Sequence, residues 1–91
     1  MTARRTVTVV NKRGLHARAS AKFVGTVAQL PPGVTVRVAK GGAEVDGDSI
    51  LDLMMLGAAR GDAIEIIVEG EEEDTVLAQL CQLVADGFGE E

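Results

Sequence analysis

Alternation of apolar and polar residues predicts four β-strands in this chain. The alternating segments cover residues 5–10, 34–38, 43–46 and 64–69, and most of them are rich in β-branched side chains, which favour the extended backbone. In the first strand, Val7 and Val9 are expected to face inward. Between the second and third strands, Lys40-Gly41-Gly42 predicts a tight hairpin.

Apolar residues spaced three or four apart predict the first and last helices. The first helix covers residues 17–30 and ends at Pro31-Pro32-Gly33. The last helix opens with four acidic residues, 71–74, which complement the helix dipole and are interpreted as structural rather than as a metal site. It closes at Gly87, and its predicted core residues are Val76, Leu77, Leu80, Cys81 and Val84.

A shorter helix is predicted over residues 50–56, between a turn and cap at Asp46-Gly47-Asp48-Ser49 and a stop at Gly57. It contains four consecutive apolar residues, which point around the whole helix, so packing on one face must expose some of them. Leu53 and Leu56 are expected in the core. An exposed apolar patch, typical of partner-binding surfaces, is expected at Ile50, Leu51 and Met54. Alternatively, flanking loops cover these three side chains.

The resulting order of elements is βαββαβα, without repeats or linkers. Each strand has an apolar side, which indicates an α+β fold in which helices cover one face of a single sheet. The chain has 91 residues, of which 46% are hydrophobic, so we expect one domain over residues 1–91.

Composition excludes several classes of function. A net charge of −5 and only 2% aromatic residues argue against nucleic-acid binding. We find no signal peptide and no apolar run long enough to span a membrane, and we expect a cytoplasmic protein. Cys81 is the only cysteine and cannot form an internal disulfide, and one cysteine with one histidine makes no metal site.

Candidate chemistry lies in residues 11–20, which join the first strand to the first helix and contain the only histidine. Gly14 marks the turn, so His16 should lie at the helix N-terminus, where unpaired N–H groups bind anions and the dipole disfavours imidazolium. Arg18 could bring its guanidinium to the same place. This combination suits the acceptance of a phosphoryl group, although a lone histidine can equally be an ordinary surface residue.

Charge is divided unevenly along the chain. Residues 1–43 carry eight basic side chains and no acidic ones, whereas all fourteen acidic residues follow. The surroundings of His16 should therefore be positive, because Lys12, Arg13, Arg18 and Lys22 are near it in sequence. Such a surface would attract a phosphorylated group or an acidic protein, or it is an ordinary solvated face.

Two motifs, together with the order of elements, resemble the HPr family. The first is Gly14-Leu15-His16-Ala17-Arg18 followed by a helix of small residues, and the second runs from Asp48-Ser49-Ile50 to Leu56-Gly57. HPr is the histidine-containing phosphocarrier of the bacterial phosphoenolpyruvate-dependent phosphotransferase system. The resemblance extends over nearly the whole chain.

This resemblance implies an open-faced β-sandwich, with three helices on one side of a four-stranded antiparallel sheet. It also implies that His16 accepts a phosphoryl group on Nδ1 from phosphorylated enzyme I and passes it to an enzyme IIA domain. The Arg18 side chain and the backbone N–H groups of Ala17 and Arg18 would stabilise the phosphohistidine. On this basis we expect a monomeric carrier rather than an enzyme, with no metal or other cofactor.

The resemblance also implies a surface that contacts partner proteins. It consists of residues around His16, here Ala19, Ser20 and Lys22, and of the exposed apolar residues of the second helix, here Ile50, Leu51 and Met54. Ser49 matches the serine that HPr kinase/phosphorylase modifies in many members, and a phosphate at the first turn of a helix is favoured by the dipole. The alternative is that Ser49, with Asp52 three residues later, only caps the helix.

One departure from the family pattern concerns residue 19, where most members have proline and this chain has alanine. Alanine at this place is similar to regulatory or nitrogen-related members, which leaves open whether the acceptor belongs to a sugar permease or to a regulator.

Two other classes of function are compatible with the residues. A small phosphatase of the acylphosphatase type would need an amide to position water, for which Asn11 and Gln29 are the candidates. A ligand-binding regulatory module would form a dimer, and it would leave the pairing of His16 with Arg18 unexplained.

Overall fold

Within residues 1–90, the part of the chain that the computed structural model describes, seven helices and strands follow the predicted order βαββαβα. Their bounds are β1 Thr2–Thr8, α1 Ala17–Ala28, β2 Thr35–Lys40, β3 Ala43–Asp46, α2 Ile50–Met55, β4 Ala63–Glu69 and α3 Glu73–Ala85. A short 3₁₀ turn, Gly87–Gly89, comes after α3. No helix in this part of the chain is both long and apolar enough to cross a membrane.

The strands of the described chain form one antiparallel sheet in the order β1-β4-β2-β3, which confirms the predicted four-stranded antiparallel sheet. Val7 of β1 lies opposite Ile64 of β4, and Val38 of β2 lies opposite Ile66. Lys40 and Ala43 pair across the predicted hairpin. Consecutive strands β2 and β3 are therefore neighbours, whereas β4 is inserted between β1 and β2.

One face of the sheet carries the core. Side chains at alternate positions of β4 face the helices and are buried, as the period of a strand requires. They pack with buried residues of β2 and of all three described helices, including Val38, Phe23, Leu53, Leu80 and Val84. The predicted inward residues of α3 are all buried. Burial raises the pKa of the Cys81 thiol, with Arg5 opposing the shift, and Cys81 is a free, buried cysteine as expected.

Ile67 is buried on the opposite face of the sheet. It is 1% exposed, yet it does not belong to the core cluster, because its position in β4 is out of phase with Ile66. In register it lies between Arg4 of β1 and Arg37 of β2. Long arginine side chains can cover an apolar neighbour while their charged ends stay in water. The outer face of the sheet therefore has one apolar centre within a polar surface.

The predicted bounds of the first strand are wrong by three residues at its start and two at its end. β1 starts at Thr2, where the register provides Glu69 as a partner, although this polar start shows little apolar alternation. It ends at Thr8, and Val10 is exposed. Val9 lies beyond the strand but is fully buried, as expected.

The end of α2 is Met55, one residue before the predicted end, and two other helix ends differ from the prediction by two residues. The helix α1 ends at Ala28 with Gln29 as its C-cap, two residues before the predicted end, because the residue preceding a proline avoids the helical conformation. The helix α3 begins at Glu73 rather than at residue 71, because Glu72 has a left-handed backbone with φ of 55°. Only Glu73 and Asp74 of the acidic run lie in the first turn.

The apolar residues of α2 divide as predicted. Leu53 is fully buried and Leu56 nearly so. Ile50, Leu51 and Met54 are 40%, 66% and 40% exposed, so flanking loops do not cover them. Met55, which the sequence pattern did not assign to either face, is 75% exposed. We call the residues Ile50, Leu51, Met54 and Met55 the apolar patch.

Candidate functional site

His16 is positioned by a loop whose backbone packs against Ala58. The Gly14 backbone is left-handed, with φ of 63°, and its α-carbon lies so close to Ala58 that a side chain there would collide with the Ala58 carbonyl. The next residue, Leu15, is buried and donates its N–H to the same carbonyl at 3.0 Å. These contacts place His16 at the N-terminus of α1.

The segment against which this loop packs, residues 58–62, is held in place by polar contacts. Asp62 accepts a hydrogen bond from the N–H of Ala59 at 2.9 Å, and it forms an ion pair with Lys40 at 3.3 Å. These interactions hold the pKa of Asp62 below its ordinary value, the bond from Ala59 having the larger effect. The support on which Leu15 and Gly14 rest is therefore fixed by polar contacts across the loop 58–62.

His16 is the N-cap of α1, as predicted. Its Nδ1 accepts a hydrogen bond from the backbone N–H of Arg18 at 3.2 Å, and its Nε2 lies 2.7 Å from Oε2 of Glu90. Because Nδ1 faces a donor and Nε2 faces a carboxylate, these partners assign the proton to Nε2. The lone pair of Nδ1 is thereby directed toward the helix N-terminus, where an anion is stabilised.

Glu90 is the site residue that the sequence analysis missed. One oxygen of its carboxylate contacts Nε2 of His16. The other accepts a hydrogen bond from Nδ2 of Asn11 at 3.1 Å. Burial alone would raise the pKa of Glu90, but the hydrogen bonds from Asn11 and His16 and the nearby charge of Arg18 outweigh it, so the pKa lies below its ordinary value.

The placement of Glu90 depends on the turn after α3. Phe88 is fully buried although its φ is 60°, and its carbonyl accepts a hydrogen bond from Nζ of Lys22 at 2.8 Å. An aromatic residue near the end of the chain was the available sequence signal, because a buried phenylalanine holds the residues beside it. That signal does not identify which residue Glu90 meets.

An open groove of about 820 Å³ runs beside His16. Its lining includes the four basic residues expected there, namely Lys12, Arg13, Arg18 and Lys22. Glu90 is the acidic residue of the lining. The groove is therefore positive overall, and it suits a phosphoryl group or acidic side chains of a partner.

The expected interface around His16 is wrong for two residues. Ala19 and Ser20 are both fully buried, and Oγ of Ser20 donates to the carbonyl of Leu15 at 3.1 Å. They lie on the side of α1 that faces the core, so they cannot touch a partner. Ala17 and Ala21 are exposed instead. Lys22 is also exposed, as expected, although its ammonium group also holds the Phe88 carbonyl.

Ser49 is the N-cap of α2, and its Oγ accepts a hydrogen bond from the N–H of Asp52 at 3.2 Å. Its capping role is therefore present in the structure. The residue is partly exposed and directly precedes Ile50 of the apolar patch. Because α2 packs against α1, the patch and the His16 groove belong to neighbouring helices.

The geometry disfavours the phosphatase alternative. Asn11 is 2% exposed, and its amide donors are bound to Gly14 and Glu90, so it cannot position water in the groove. Gln29 is the C-cap of α1, at the opposite end of the helix from His16. Among residues 1–90 no group of three or more acidic, cysteine or histidine side chains could hold a metal ion.

Comparison with known proteins gives one consistent result. The sequence pattern of the family described as "PTS HPr component phosphorylation site" matches residues 3–86. Phosphocarrier protein HPr of Pseudomonas aeruginosa is 45% identical over 85 residues, which are 92% of each chain. Phosphocarrier protein NPr of Escherichia coli is 34% identical over 91 residues, and each chain is covered completely.

Solved structures agree with these relatives. HPr-C-His from Thermoanaerobacter tengcongensis superposes with a TM-score of 0.89 at 34% identity, with 98% of both chains covered. A second structure from the same organism, described as an HPr dimer, superposes with a TM-score of 0.73 at 33% identity and covers 92% of this chain and 94% of that one. The open-faced sheet with helices on one side is thus shared with these proteins.

Proposed function

The chain belongs to the HPr family, the phosphocarrier proteins of the phosphotransferase system, and we propose that it carries the phosphoryl group on Nδ1 of His16. The observation that supports this most directly is the pair of contacts on the imidazole, with Arg18 N–H at Nδ1 and Glu90 at Nε2. Nδ1 is then the nucleophilic nitrogen, and His16 lines the positive groove.

The transfer forms a bond between phosphorus and Nδ1, while the bond from phosphorus to the donor breaks and its electron pair returns to the donor. As Nδ1 gives up its lone pair, positive charge develops on the ring and on Nε2–H. The Glu90 carboxylate, 2.7 Å from Nε2, stabilises that charge. The N–H of Arg18, released from Nδ1, can donate to a phosphoryl oxygen.

Arg18 and the backbone N–H of Ala17 complete the proposed phosphate site. Arg18 lines the groove together with His16, and its charge is close enough to contribute to the lowered pKa of Glu90. A guanidinium at this place neutralises phosphoryl oxygens. Since the group must also leave, an open groove suits a carrier, and the protein is a phosphocarrier rather than an enzyme.

The family implies partners within the phosphotransferase system. We propose that enzyme I is the donor and an enzyme IIA domain the acceptor, and that both contact the groove at Lys22 and the apolar patch. We further propose that the chain acts as a single cytoplasmic HPr-like domain and as a monomer. Ser49 is a proposed site for HPr kinase/phosphorylase, since a phosphate there would add negative charge beside the apolar patch.

The test is intact-mass measurement after incubation with phosphoenolpyruvate and catalytic enzyme I. We expect the gain of one acid-labile phosphoryl group in the wild-type protein and in Gln79→Ala, an exposed change on α3, but not in His16→Ala. Nitrogen-15 NMR of the phosphorylated histidine should place phosphorus on Nδ1.

Two results would contradict this proposal. Phosphorylation of His16→Ala would move the acceptor to another residue, and a phosphoryl group on Nε2 would reverse the assignment of the two ring nitrogens. Light scattering of the purified protein tests the monomer separately, and a dimer at micromolar concentration would overturn that part.

A further inference from the structure

We propose that Asn11 is a positioning residue for phosphoryl transfer, because its amide fixes the Glu90 carboxylate that sets the proton of His16. This inference rests on the proposed function of His16 and concerns how the site is assembled. Asn11 lies in the loop between β1 and α1, five residues before His16 and far from Glu90 in the chain.

The Asn11 amide joins the two parts of the chain that meet at His16. Nδ2 donates to the carbonyl of Gly14 at 2.8 Å and to Oε1 of Glu90 at 3.1 Å. The first bond ties Asn11 to the loop that carries His16, and the second ties it to the carboxylate on His16 Nε2. These hydrogen bonds therefore connect the loop to Asn11, Asn11 to Glu90, and Glu90 to the imidazole of His16.

The orientation of this amide is determined by its neighbours. Gly14 O and Glu90 Oε1 are both acceptors, so only the Nδ2 side can face them. Consequently Oδ1 points away, and it is buried without a hydrogen bond from the described part of the chain. A buried acceptor of this kind is costly, and the two donated bonds give the reason for retaining the amide.

Other contacts hold the backbone of this segment but not its carboxylate. Phe88 is buried in the core and Lys22 binds the Phe88 carbonyl, so residues 87–89 are anchored independently of Asn11. The Glu90 side chain still has several rotatable bonds beyond that anchor. Asn11 restricts them, since one carboxylate oxygen on Asn11 leaves the other oxygen directed at His16.

Aspartate, serine or alanine at position 11 could not perform this role. Aspartate would present oxygens to two acceptors, alanine has no donor, and a serine hydroxyl can donate only once. Asn11 thus supplies two donors from one nitrogen at a buried position, which is 2% exposed. The predicted consequence of its loss is a mobile Glu90 and a mixture of His16 tautomers.

The experiment is a double-mutant cycle of Asn11→Ala and Glu90→Ala with two readouts. Nitrogen-15 shifts of the His16 imidazole at neutral pH report the tautomer without any partner. The rate of phosphoryl transfer from enzyme I reports function. We expect Glu90→Ala to mix the tautomers and slow transfer about tenfold, and Asn11→Ala to do the same about three- to tenfold.

The decisive comparison is the effect of Asn11→Ala in the Glu90→Ala background. It should vanish if Asn11 acts through Glu90. An undiminished effect, or wild-type tautomers in Asn11→Ala, would overturn the proposal. Asn11→Ser provides a second variant should Asn11→Ala unfold, and Gln79→Ala is the matched amide control. Because the NMR readout needs no donor, it stands even if His16 proves not to be the acceptor.

Discussion

Oε2 of Glu90 lies 2.7 Å from Nε2 of His16, although 74 positions separate the two residues along the chain. The contact orients the imidazole so that Nδ1 faces the helix N-terminus, where it accepts the N–H of Arg18. It also gives Glu90 a pKa below its ordinary range, against the effect of burial, because Asn11 and His16 donate to its carboxylate.

Acidification should therefore destabilise the wild-type protein more than Glu90→Gln. The native pKa of Glu90 is below the unfolded one, so its ionised form adds stability above the unfolded pKa. That contribution is lost as the pH falls through the native pKa. Urea unfolding in steps from about pH 6 to about pH 3 measures the difference in free energy of unfolding. Glu71→Gln, an exposed carboxylate change, is the control, and parallel curves for wild type and Glu90→Gln would refute the prediction.

Loss of the Ser49 cap should lower stability measurably. The Ser49 hydroxyl accepts from the N–H of Asp52, and removal of such a cap in Ser49→Ala costs about 1 kcal/mol, or about 4–8 °C in Tm. Ser49→Asp retains an acceptor and should stay closer to wild type in thermal unfolding. Its added negative charge should nevertheless slow transfer from enzyme I, and an unchanged rate would argue against regulation at this position.

Leu51 and Leu53 form a matched pair on α2. Leu53 is fully buried, so Leu53→Ala should cost about 2–5 kcal/mol in free energy of unfolding. Leu51 is 66% exposed, so Leu51→Ala should change stability by less than about 0.5 kcal/mol. If the apolar patch binds partners, Leu51→Ala should weaken the affinity for enzyme I in titration calorimetry. Equal affinity of the wild type and Leu51→Ala would remove Leu51 from the interface.

Gly14→Ala should damage both stability and the site. The left-handed backbone costs about 1 kcal/mol for a residue other than glycine, and the new Cβ would also lie 2.9 Å from Cα of Ala59. Gly33→Ala is the control, because its φ is also positive but nothing lies within 4 Å of the added carbon. We expect thermal unfolding to show a larger loss for Gly14→Ala than for Gly33→Ala. Equal losses would show that the contact with Ala58 and Ala59 relaxes without cost.

Much of this protein follows from local sequence, because its elements have clear periods and end signals. The order βαββαβα, the hairpin at Gly41-Gly42 and the N-terminal place of His16 are all readable from the chain and present in the structure. The division of α2 into buried Leu53 and an exposed patch follows from helix geometry alone. These features depend on neighbouring residues, whose spacing a sequence records directly.

The features that the sequence did not predict are contacts between segments that are distant along the chain. The sequence shows a glutamate near its end, but only the turn at Gly87–Gly89 and the buried Phe88 bring Glu90 to His16. Likewise, Ala19 and Ser20 are adjacent to exposed residues in sequence, and only the packing of α1 shows that they face inward. Sequence by itself thus determined that His16 lies at the N-terminus of α1 and that basic residues surround it. Tertiary structure decided which ring nitrogen carries the proton, because that depends on a carboxylate that long-range packing places beside Nε2.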